Sequence, residues 1–377
     1  MKKKVMAVAV AGVLAAPALA FAQASTVQIY GLINAEYGYV NQPDTAAALG
    51  RSSVDALNSG ASRIGFKGEE KLGGSLSAFF QCESSLEFLG GTSSTAGVWC
   101  DRNSAIGLKG SWGSFYIGTW DSPMKRVSGI TRITNETGWL GSQQMTLSNA
   151  GGWNGTFSNR NTHSINYDTP NWNGFSASAQ YTTLQAARGF PANTVPTAKG
   201  RRISLSGQYI SGPMAIVAAY SKHDDDKSTS GVMGLDDKAW LIGGTYTWGA
   251  FKVGLTYIDA EIDTGTVLAP GNTKRKSWNL AGDWNLGGPH AIRAGWSAAG
   301  DRKTSVGGGN DTGANLYQIS YIHTLSKRTQ AYLGYARMDN DTFGTYSLTG
   351  NSTNAANGGI FPGDNSSVIS LGLQHTF

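Results

Sequence analysis

The 377-residue chain has few cysteines, few prolines and, beyond its first residues, no long apolar run. Its 10 prolines stand against 51 glycines, which argues against a disordered chain rich in both. No later stretch reaches the roughly 20 consecutive apolar residues that a membrane-spanning helix needs. Apolar residues instead come singly and in alternation, the pattern of strands with one apolar and one polar face. We therefore expect an all-β protein.

Cysteine is limited to two positions, Cys82 and Cys100. An exported chain passes through an oxidising compartment, where disulfides persist. A bridge across this short loop would contribute about 3 kcal/mol in the chain-entropy model. We expect a disulfide, with two unpaired thiols as the alternative. No histidine lies nearby in the sequence, so neither a metal site nor a cofactor is expected.

Charge of one sign is not in large excess either. The formal net charge is +5, from 30 basic and 25 acidic side chains. Loss of Lys2, Lys3 and Lys4 with the N-terminal segment would leave 27 basic residues and a net charge of +2. This balance gives no argument for a nucleic-acid partner.

The N-terminus has the pattern of a secretory signal peptide. A basic start precedes the apolar stretch Val5–Leu19, and small residues follow it. This pattern predicts a signal peptide over residues 1–24, with cleavage after Ala22 or Ala24, and a mature domain over residues 25–377. A membrane anchor is the alternative, but the apolar stretch is short of the ~20 residues that a spanning helix requires.

The C-terminus is the most regular strand pattern in the chain. Ile369, Leu371, Leu373 and Phe377 share one face, and small or polar residues share the other. A last strand that closes a barrel, with Phe377 at a membrane interface, explains why the alternation runs to the final residue. This end also resembles the C-terminal signal that the insertion machinery of outer-membrane barrels reads.

Counting the alternating segments gives sixteen strands, joined by alternately short and long connections. In a membrane every backbone polar group must be bonded, so only helices or closed barrels can span it. The sequence therefore predicts an all-β fold, a 16-stranded antiparallel transmembrane β-barrel. A soluble β-sandwich or propeller is the alternative, but no blade repeat is present. The predicted extracellular connections are 41–59, 121–161, 184–200, 223–237, 260–274, 300–312 and 340–364.

A barrel of about sixteen strands leaves a water-filled lumen. The segment 121–161 is the longest without clear alternation, and we expect it to fold inward as the third extracellular loop and to narrow the pore. Its acidic residues are Asp121 and Glu136. Its basic residues in the first half are Lys125, Arg126 and Arg132.

Three segments carry a family resemblance. They are Thr26-Val-Gln-Ile-Tyr-Gly31, Ser62-Arg-Ile-Gly-Phe-Lys-Gly-Glu-Glu70 and Gly118-Thr-Trp-Asp-Ser-Pro-Met-Lys125. These segments, and the mature chain as a whole, resemble general porins of the Gram-negative outer membrane, closest to the beta-proteobacterial type. The resemblance implies a homotrimer with one pore per subunit, set among outer-membrane lipid and lipopolysaccharide. It implies passive diffusion of ions and small hydrophilic solutes.

The resemblance also assigns a constriction. Arg63, Arg102 and Arg160 match its wall arginines, and Asp121 and Glu136 lie on the facing loop. The family's usual acidic loop motif is not obvious in this chain. The wall lysine that some relatives carry on the first strand is absent, and Leu32 lies near its place. Arginines facing loop acids give a transverse field that selects ions by charge, with a weak anion preference as the expected result.

Strand parity gives an independent view of the lumen charges. Arg63 shares its face with Lys67 and Glu69 and opposes apolar neighbours. Arg202 and Arg293 also face inward by parity. For Arg102 parity is ambiguous, because Ile106 and Leu108 fall on its face. The alternative is a set of ordinary lumen charges that balance one another, with Glu69, Asp168 and Asp283 among the acids.

Other functions are alternatives to diffusion. A channel selective for sugars or organic acids would need a track of lumen aromatics, but Tyr30 and Phe79 stand apart in the sequence. A role in adhesion or structural anchoring is a further alternative. The adjacent His163 and Ser164 point to opposite faces of a strand, so they do not form a nucleophile and base, and no enzyme is expected.

One further motif, His223-Asp-Asp-Asp226, has the composition of a divalent-cation ligand set. Its spacing is not that of a calcium loop. We expect a solvated extracellular loop there.

Overall fold

The computed structural model describes residues 26–41, 53–89, 98–134, 138–141, 157–182, 201–224, 236–263, 271–305, 309–346, 348 and 362–377. The predicted signal peptide with Ala22 and Ala24 lies outside the described residues, and so does Glu136.

The described chain is almost entirely antiparallel strand. The strands are β1 Thr26–Asn41, β2 Ser53–Asn58, β3 Arg63–Gly73, β4 Leu76–Ser85, β5 Ser104–Gly110, β6 Gly113–Asp121, β7 Arg160–Asp168, β8 Phe175–Thr182, β9 Arg201–Ser211, β10 Met214–Asp224, β11 Asp236–Trp248, β12 Phe251–Asp263, β13 Asn272–Gly287, β14 His290–Ala299, β15 Lys303–Thr304, β16 Ala314–Thr324, β17 Thr329–Asn340 and β18 Ser366–Thr376. One α-helix, α1, spans Pro123–Thr131, and a single 3₁₀ turn spans Trp139–Gly141. No helix in this part of the chain is long and apolar enough to cross a membrane.

The eighteen strand segments form one closed barrel. β2 and β3 both pair with β1, one after the other, and β14 and β15 both pair with β13. Each of these two pairs is therefore one interrupted barrel strand, which gives sixteen strands around the barrel. β1 pairs with β18 and closes the sheet. The predicted 16-stranded antiparallel barrel is confirmed.

Closure rests on the chain end. The backbone N–H of Gly31 donates to the carbonyl of Phe377 at 3.1 Å, and the N–H of Phe377 donates to Gly31 at 3.2 Å. The ring of Phe377 lies over Gly31, where a Cβ would come within 2.3 Å of Phe377 Cζ. Position 31 must therefore be glycine for the terminal aromatic to sit there.

The two faces of the barrel have opposite character. Large apolar side chains face outward, including Val27, which is 60% exposed, and Leu371, which is 57% exposed. Polar side chains such as Asn34 and Glu36 face inward and are fully buried. Exposed aromatics meet in lateral rows near strand ends: Trp284 stacks on Phe251 with ring centroids 5.4 Å apart. These rows have the placement of membrane-interface girdles.

Three sequence expectations differ from the structure. The predicted connections 41–59 and 300–312 contain the short strands β2 and β15, which extend the barrel wall. The segment 121–161, expected as a loop, contains the helix α1 near its start. The parity argument places Arg102 on a strand, whereas β5 begins only at Ser104. Parity fails at Arg102 because this residue stands on no strand.

Candidate functional site

Helix α1 begins for local reasons. The side chain of Ser122 caps it by accepting a hydrogen bond from the backbone N–H of Lys125 at 3.2 Å, and Pro123 occupies its first turn. Serine caps and first-turn prolines both favour a helix start at this point. Met124, Val127 and the residues one turn on form its buried face.

That buried face packs on the inner wall of the barrel. The backbone N–H of Met124 lies 3.4 Å from Ser204 Oγ on β9, and Thr256 Oγ1 on β12 donates to Thr131 Oγ1 at 2.6 Å. Both partners belong to the inward, buried set of wall residues. Inward apolar residues such as Val217 and Leu241 complete the contact. The described start of the segment 121–161 therefore lies inside the barrel.

Glycines in the wall mark the path of this segment. A Cβ at any of them would collide with it, at 2.4 to 3.0 Å from the nearest loop atom. The glycines concerned are Gly38, Gly243, Gly254, Gly295 and Gly334, which face Trp139, Thr131 (two of them), Thr134 and Leu140 respectively. These positions range from β11 around to β17 and β1, so the described loop residues Thr131, Thr134, Trp139 and Leu140 lie along this part of the inner wall.

A buried carboxylate anchors the far end of the described segment. Glu36 on β1 is fully buried, and its Oε2 accepts from the backbone N–H of Trp139 at 3.1 Å and from Asn58 Nδ2 at 3.3 Å. The hydroxyl of Ser370 donates to its other oxygen. Gly138 passes directly over the carboxylate with φ +76°, a position where a side chain has no room.

The first charge cluster of the lumen centres on Glu83 of β4. Arg102 Nε donates to Glu83 Oε1 at 2.7 Å, and Arg63 Nε lies 3.9 Å from Glu83 Oε2. The hydroxyl of Tyr30 also donates to this carboxylate, at 3.1 Å. The structure therefore brings two of the sequence-predicted arginines together on one acid that the sequence analysis did not single out.

The second cluster centres on Asp121 at the end of β6. Arg160 Nε lies 3.1 Å from Asp121 Oδ1, and Lys125 Nζ lies 2.9 Å from the same oxygen. Asn103 bridges the two partners, since it donates to Asp121 and accepts from Arg160. Burial lowers the pKa of Lys125 below its ordinary value, while the adjacent Asp121 opposes that shift.

The two clusters share an unusual ratio of charges. Glu83 contacts two arginines, and Asp121 contacts one arginine and one lysine. Among the described residues each cluster therefore joins two basic groups to one acid. We call these two sets the shared-acid clusters.

Three other ion pairs of the described lumen join one acid to one base. Arg126 binds Asp168 through both terminal nitrogens, at 2.7 and 3.0 Å. Arg293 Nε donates to Asp283 at 2.9 Å on the opposite wall. The third pair joins Lys109 and Glu69. We call these three the balanced pairs.

The remaining predicted lumen residues lie at separate places. Lys67 lies over the ring of Tyr30, 5.1 Å from its centroid. Arg202 is 5% exposed, and its Nη1 donates to Asn161 at 3.0 Å. A cavity of about 380 Å³ separates Arg63 from Arg293, and Arg132 and Lys252 also line it. The two walls of the pore therefore face each other across open space.

Cys82 and Cys100 form a disulfide in the structure. Cys82 follows the last ladder pair between β4 and β5, Gln81 with Ala105. The bond closes the connection between these strands at its base.

The lumen aromatics are less isolated than the sequence indicated. Phe79 packs edge-on against Tyr116, at 5.9 Å between centroids, and Tyr116 against Trp120 at 5.0 Å. Tyr116 is only 2% exposed, and its hydroxyl donates to Asp168. The cluster lies beneath the Arg126–Asp168 pair and offers no open track.

The structure also places residues of two other sequence motifs, the His163–Ser164 pair and the motif that begins at His223. Ser164 is buried and its hydroxyl donates to the carbonyl of Gly118, while His163 is exposed. The two side chains therefore point to opposite faces. His223 is buried and packs on Phe157, at 4.8 Å between ring centroids. Within the described residues no group of three or more His, Cys, Asp or Glu side chains could hold a metal ion.

Sequence reasoning missed Glu83, Asn103 and Glu36. Parity offered a signal for Glu36 and Glu83, since both alternate in phase with the inward residues of their strands. It offered none for Asn103, which lies in a connection. Their importance comes from contacts across the chain, which periodicity does not show.

Comparisons with known proteins agree with this architecture. Residues 7–342 match the family model described as Gram-negative porin. The chain is 28% identical to outer membrane porin protein 32 of Delftia acidovorans over the full length of both. It is 31% identical to the major outer membrane protein P.IB of Neisseria meningitidis over 48% of this chain and 49% of that protein.

Solved structures show the same fold. The anion-selective porin from Comamonas acidovorans superposes with a TM-score of 0.75 at 24% identity, covering 94% of this chain and all of that one. OmpT of Vibrio cholerae superposes with a TM-score of 0.67 at 18% identity, covering 96% of this chain and all of OmpT. With a closed barrel, a charged lumen and a family model that spans most of its length, the chain belongs to the Gram-negative porin family of outer-membrane channels.

Proposed function

We propose that this porin passes ions and small hydrophilic solutes by passive diffusion and that it prefers anions. The observation that carries the preference is the pair of shared-acid clusters. In the described part of the chain Arg63 and Arg102 lie in ion-pair range of Glu83, and Arg160 and Lys125 lie in ion-pair range of Asp121. Excess positive charge beside a pore attracts anions and repels cations.

The position of the clusters supports a role as the constriction. Asp121 and Lys125 belong to the start of the inward segment, Arg63 and Arg160 stand on strands of the wall, and Arg102 lies in the connection before β5. Glu83 and Asp121 are mostly shielded from water, with side-chain exposures of 10% and 17%. In such surroundings charges are screened less than in open solvent. The full path of the segment through Glu136 remains a prediction.

A relative offers independent support. The Comamonas acidovorans structure is that of an anion-selective porin. Its barrel superposes on this one over nearly the whole chain. We extend its selectivity to this chain because the shared-acid clusters supply a physical cause.

The rival function is a channel selective for sugars or organic acids. Such a channel would show saturable flux and block by its solute. The covered aromatic cluster around Tyr116 gives this function no open binding track in the described lumen. Diffusion is therefore the better-supported function.

We propose a homotrimer as the assembly. The outward face is apolar and wide, and OmpT of Vibrio cholerae, which has the same fold, has a trimer form. Cross-linking in native membranes should give a ladder that ends at three subunits. A ladder ending at one subunit would refute the trimer.

We propose phosphate-bearing lipid of the outer leaflet, such as lipopolysaccharide, as a further partner. Lys238, Lys274 and Lys303 form a lateral row on the outward face, with Glu261 between the first two at 3.2 and 3.4 Å. Lys238 of this row precedes Trp240 on the same outward face of β11. Lysines at this depth suit lipid phosphates, and native mass spectrometry with a Lys238→Gln/Lys274→Gln variant should show weaker lipid retention.

The experiment that tests the channel is the reversal potential in a planar bilayer under a salt gradient. We expect large ohmic steps in groups of three and a potential of the sign that anion flux gives. Arg102→Gln should lower the anion-to-cation permeability ratio roughly two- to fivefold, since a nearby unit charge in a wet pore contributes about 0.5–1 kcal/mol. Lys109→Gln, an equal charge change in a balanced pair, is the matched control with a smaller shift.

Three outcomes would count against the proposal. A cation-selective potential would refute the anion preference and leave the channel. Equal shifts from the Arg102 and Lys109 variants would refute the special role of the shared-acid clusters. A silent bilayer would favour a plugged or structural barrel.

A further inference from the structure

Arg102 differs from the other wall arginines in what holds it. Arg63 stands on β3 and Arg160 on β7, where ladder hydrogen bonds fix the backbone. Arg102 precedes β5 and belongs to no strand. Regular pairing between β4 and β5 stops at Gln81 with Ala105. The regular ladder therefore stops short of Arg102, whose backbone N–H still donates to the carbonyl of Glu83 on β4.

The disulfide lies where the ladder stops. Cys82 is the next residue of β4 after the last pair, and a continued register would place it opposite Ser104. It is bonded to Cys100 instead. Cys100 has φ +59°, so the chain turns sharply there before it reaches Arg102.

The side chains of Cys82 and Glu83 lie on opposite faces of the barrel wall. Neighbouring residues of a strand point to opposite sides, and Glu83 points into the lumen. The disulfide therefore fixes the outer side of the same point whose inner side carries the Glu83 carboxylate. Arg102 meets Glu83 twice, through its backbone N–H at 3.0 Å and its Nε at 2.7 Å.

Side-chain hydrogen bonds reinforce the same short segment. The backbone N–H of Cys100 donates to Ser84 Oγ at 2.8 Å. The carboxylate of Asp101 accepts from the N–H and the hydroxyl of Ser85, both at 2.9 Å. Glu83 N–H donates to Ser104 Oγ at 3.0 Å. These contacts hold residues 100–104 against the end of β4, and the disulfide is the one covalent link among them.

We infer that the Cys82–Cys100 disulfide positions Arg102 as a selectivity residue of the pore, in place of the missing strand ladder. This inference rests on the proposed anion preference. It predicts that the electrostatic effect of Arg102 depends on the disulfide. The effect of Arg160, which a strand holds, does not.

The test is a double-mutant cycle read by reversal potential. Arg102→Gln and Arg160→Gln are each made in the intact protein and in a Cys82→Ser/Cys100→Ser background. In the intact protein we expect each to lower the anion-to-cation permeability ratio roughly two- to fivefold. In the serine background the effect of Arg102→Gln should fall to less than half, and that of Arg160→Gln should stay the same.

The outcomes distinguish the positioning role of the disulfide from the proposed anion preference. If Arg102→Gln has the same effect in both backgrounds, the disulfide only stabilises the fold and the inference is overturned, while the anion preference stands. If neither arginine variant has an effect in the intact protein, the proposed function fails, and the inference fails with it.

A second route covers poor folding of the serine variant. Folded wild-type protein and folded Arg102→Gln protein are treated in detergent with a water-soluble phosphine, and thiol labelling confirms reduction. The difference in permeability ratio between them should shrink on reduction. An unchanged difference after complete reduction overturns the inference equally.

Discussion

The shared-acid clusters and the balanced pairs use the same residue types to opposite effect. On one wall Arg293 and Asp283 form a single ion pair at 2.9 Å. On the other wall Glu83 and Asp121 are each divided between two cations. We therefore expect the field in the pore to depend on how acids are distributed among bases as well as on the number of charges.

The reason for the difference is geometric. Asp283 stands in register between Lys252 and Arg293, and its described ion pair is with Arg293. Glu83 and Asp121 lie where strands end, and a connection or helix delivers a second ion-pair partner from outside the ladder. At the shared-acid clusters the second cation therefore comes from irregular backbone.

The largest expected effect comes from removing all three arginines of the shared-acid clusters. Arg63→Gln/Arg102→Gln/Arg160→Gln should change the ion preference by about 1.5–3 kcal/mol, more than tenfold in permeability ratio, and turn the pore toward cations. The measurement is the reversal potential under a salt gradient. The matched control replaces the same three arginines by lysine, which keeps the charge. If the glutamine and lysine triples behave alike, charge is not the cause.

The next effect tests the acids. Glu83→Gln frees two arginines from their common partner and should raise the permeability ratio for anions roughly two- to fivefold. Asp283→Asn makes the same charge change on the opposite wall, where the side chains are more exposed and screening by solvent is stronger. Its expected shift is smaller, and the same bilayer recording measures both. Equal shifts would remove the distinction between the two regions.

A third prediction concerns the anchor of the inward segment. Glu36→Ala removes a buried carboxylate that accepts hydrogen bonds from Trp139, Asn58 and Ser370. The change leaves buried hydrogen-bond donors unsatisfied, which costs about 1–3 kcal/mol each, so the segment should loosen. We expect larger and noisier single-channel conductance with weaker anion preference. Ser370→Ala, which removes one of the three contacts, should give an intermediate result, and a quiet wild-type conductance in both variants would contradict the anchoring role.

The smallest expected effect is one of pH. Burial lowers the pKa of Lys125, so this side chain begins to lose its positive charge at a lower pH than an ordinary lysine does. Loss of that charge balances the Asp121 cluster and reduces the anion preference as the pH rises. Reversal potentials recorded over the alkaline range should therefore shift in the wild type, and the shift should shrink in Lys125→Met. A shift of full size in that variant would assign the titration to another group.

Much of the fold could be predicted because strand alternation is a local property. Side chains along a strand alternate whatever the rest of the barrel does, so residues such as Arg63 and Leu371 could be assigned a face from their neighbours. The strand β2 and the helix α1 escaped prediction. β2 is short and is separated from β3 by a break in the strand. The helix α1 is stabilised mainly by its contacts with the wall. Short helices gain most of their stability from such packing.

The site was predictable only in part, because strand alternation assigns a face only to residues that stand on strands. Arg63 and Arg160 stand on strands, and their positions followed from pattern and resemblance. Arg102 stands on none, so parity gave no answer. Glu83 was one of several lumen acids in the sequence, and only the structure shows that two arginines converge on it.

The sequence by itself determined the barrel, its strand number, its inner and outer faces and the terminal strand that closes it, because each depends on a period of two or on a chain end. The tertiary structure alone decided which acids are shared, where the inward segment runs along the wall and what holds Arg102. Those features arise from contacts between residues far apart in the chain, at points where the ladder is broken. At such points no local period exists for a sequence to display.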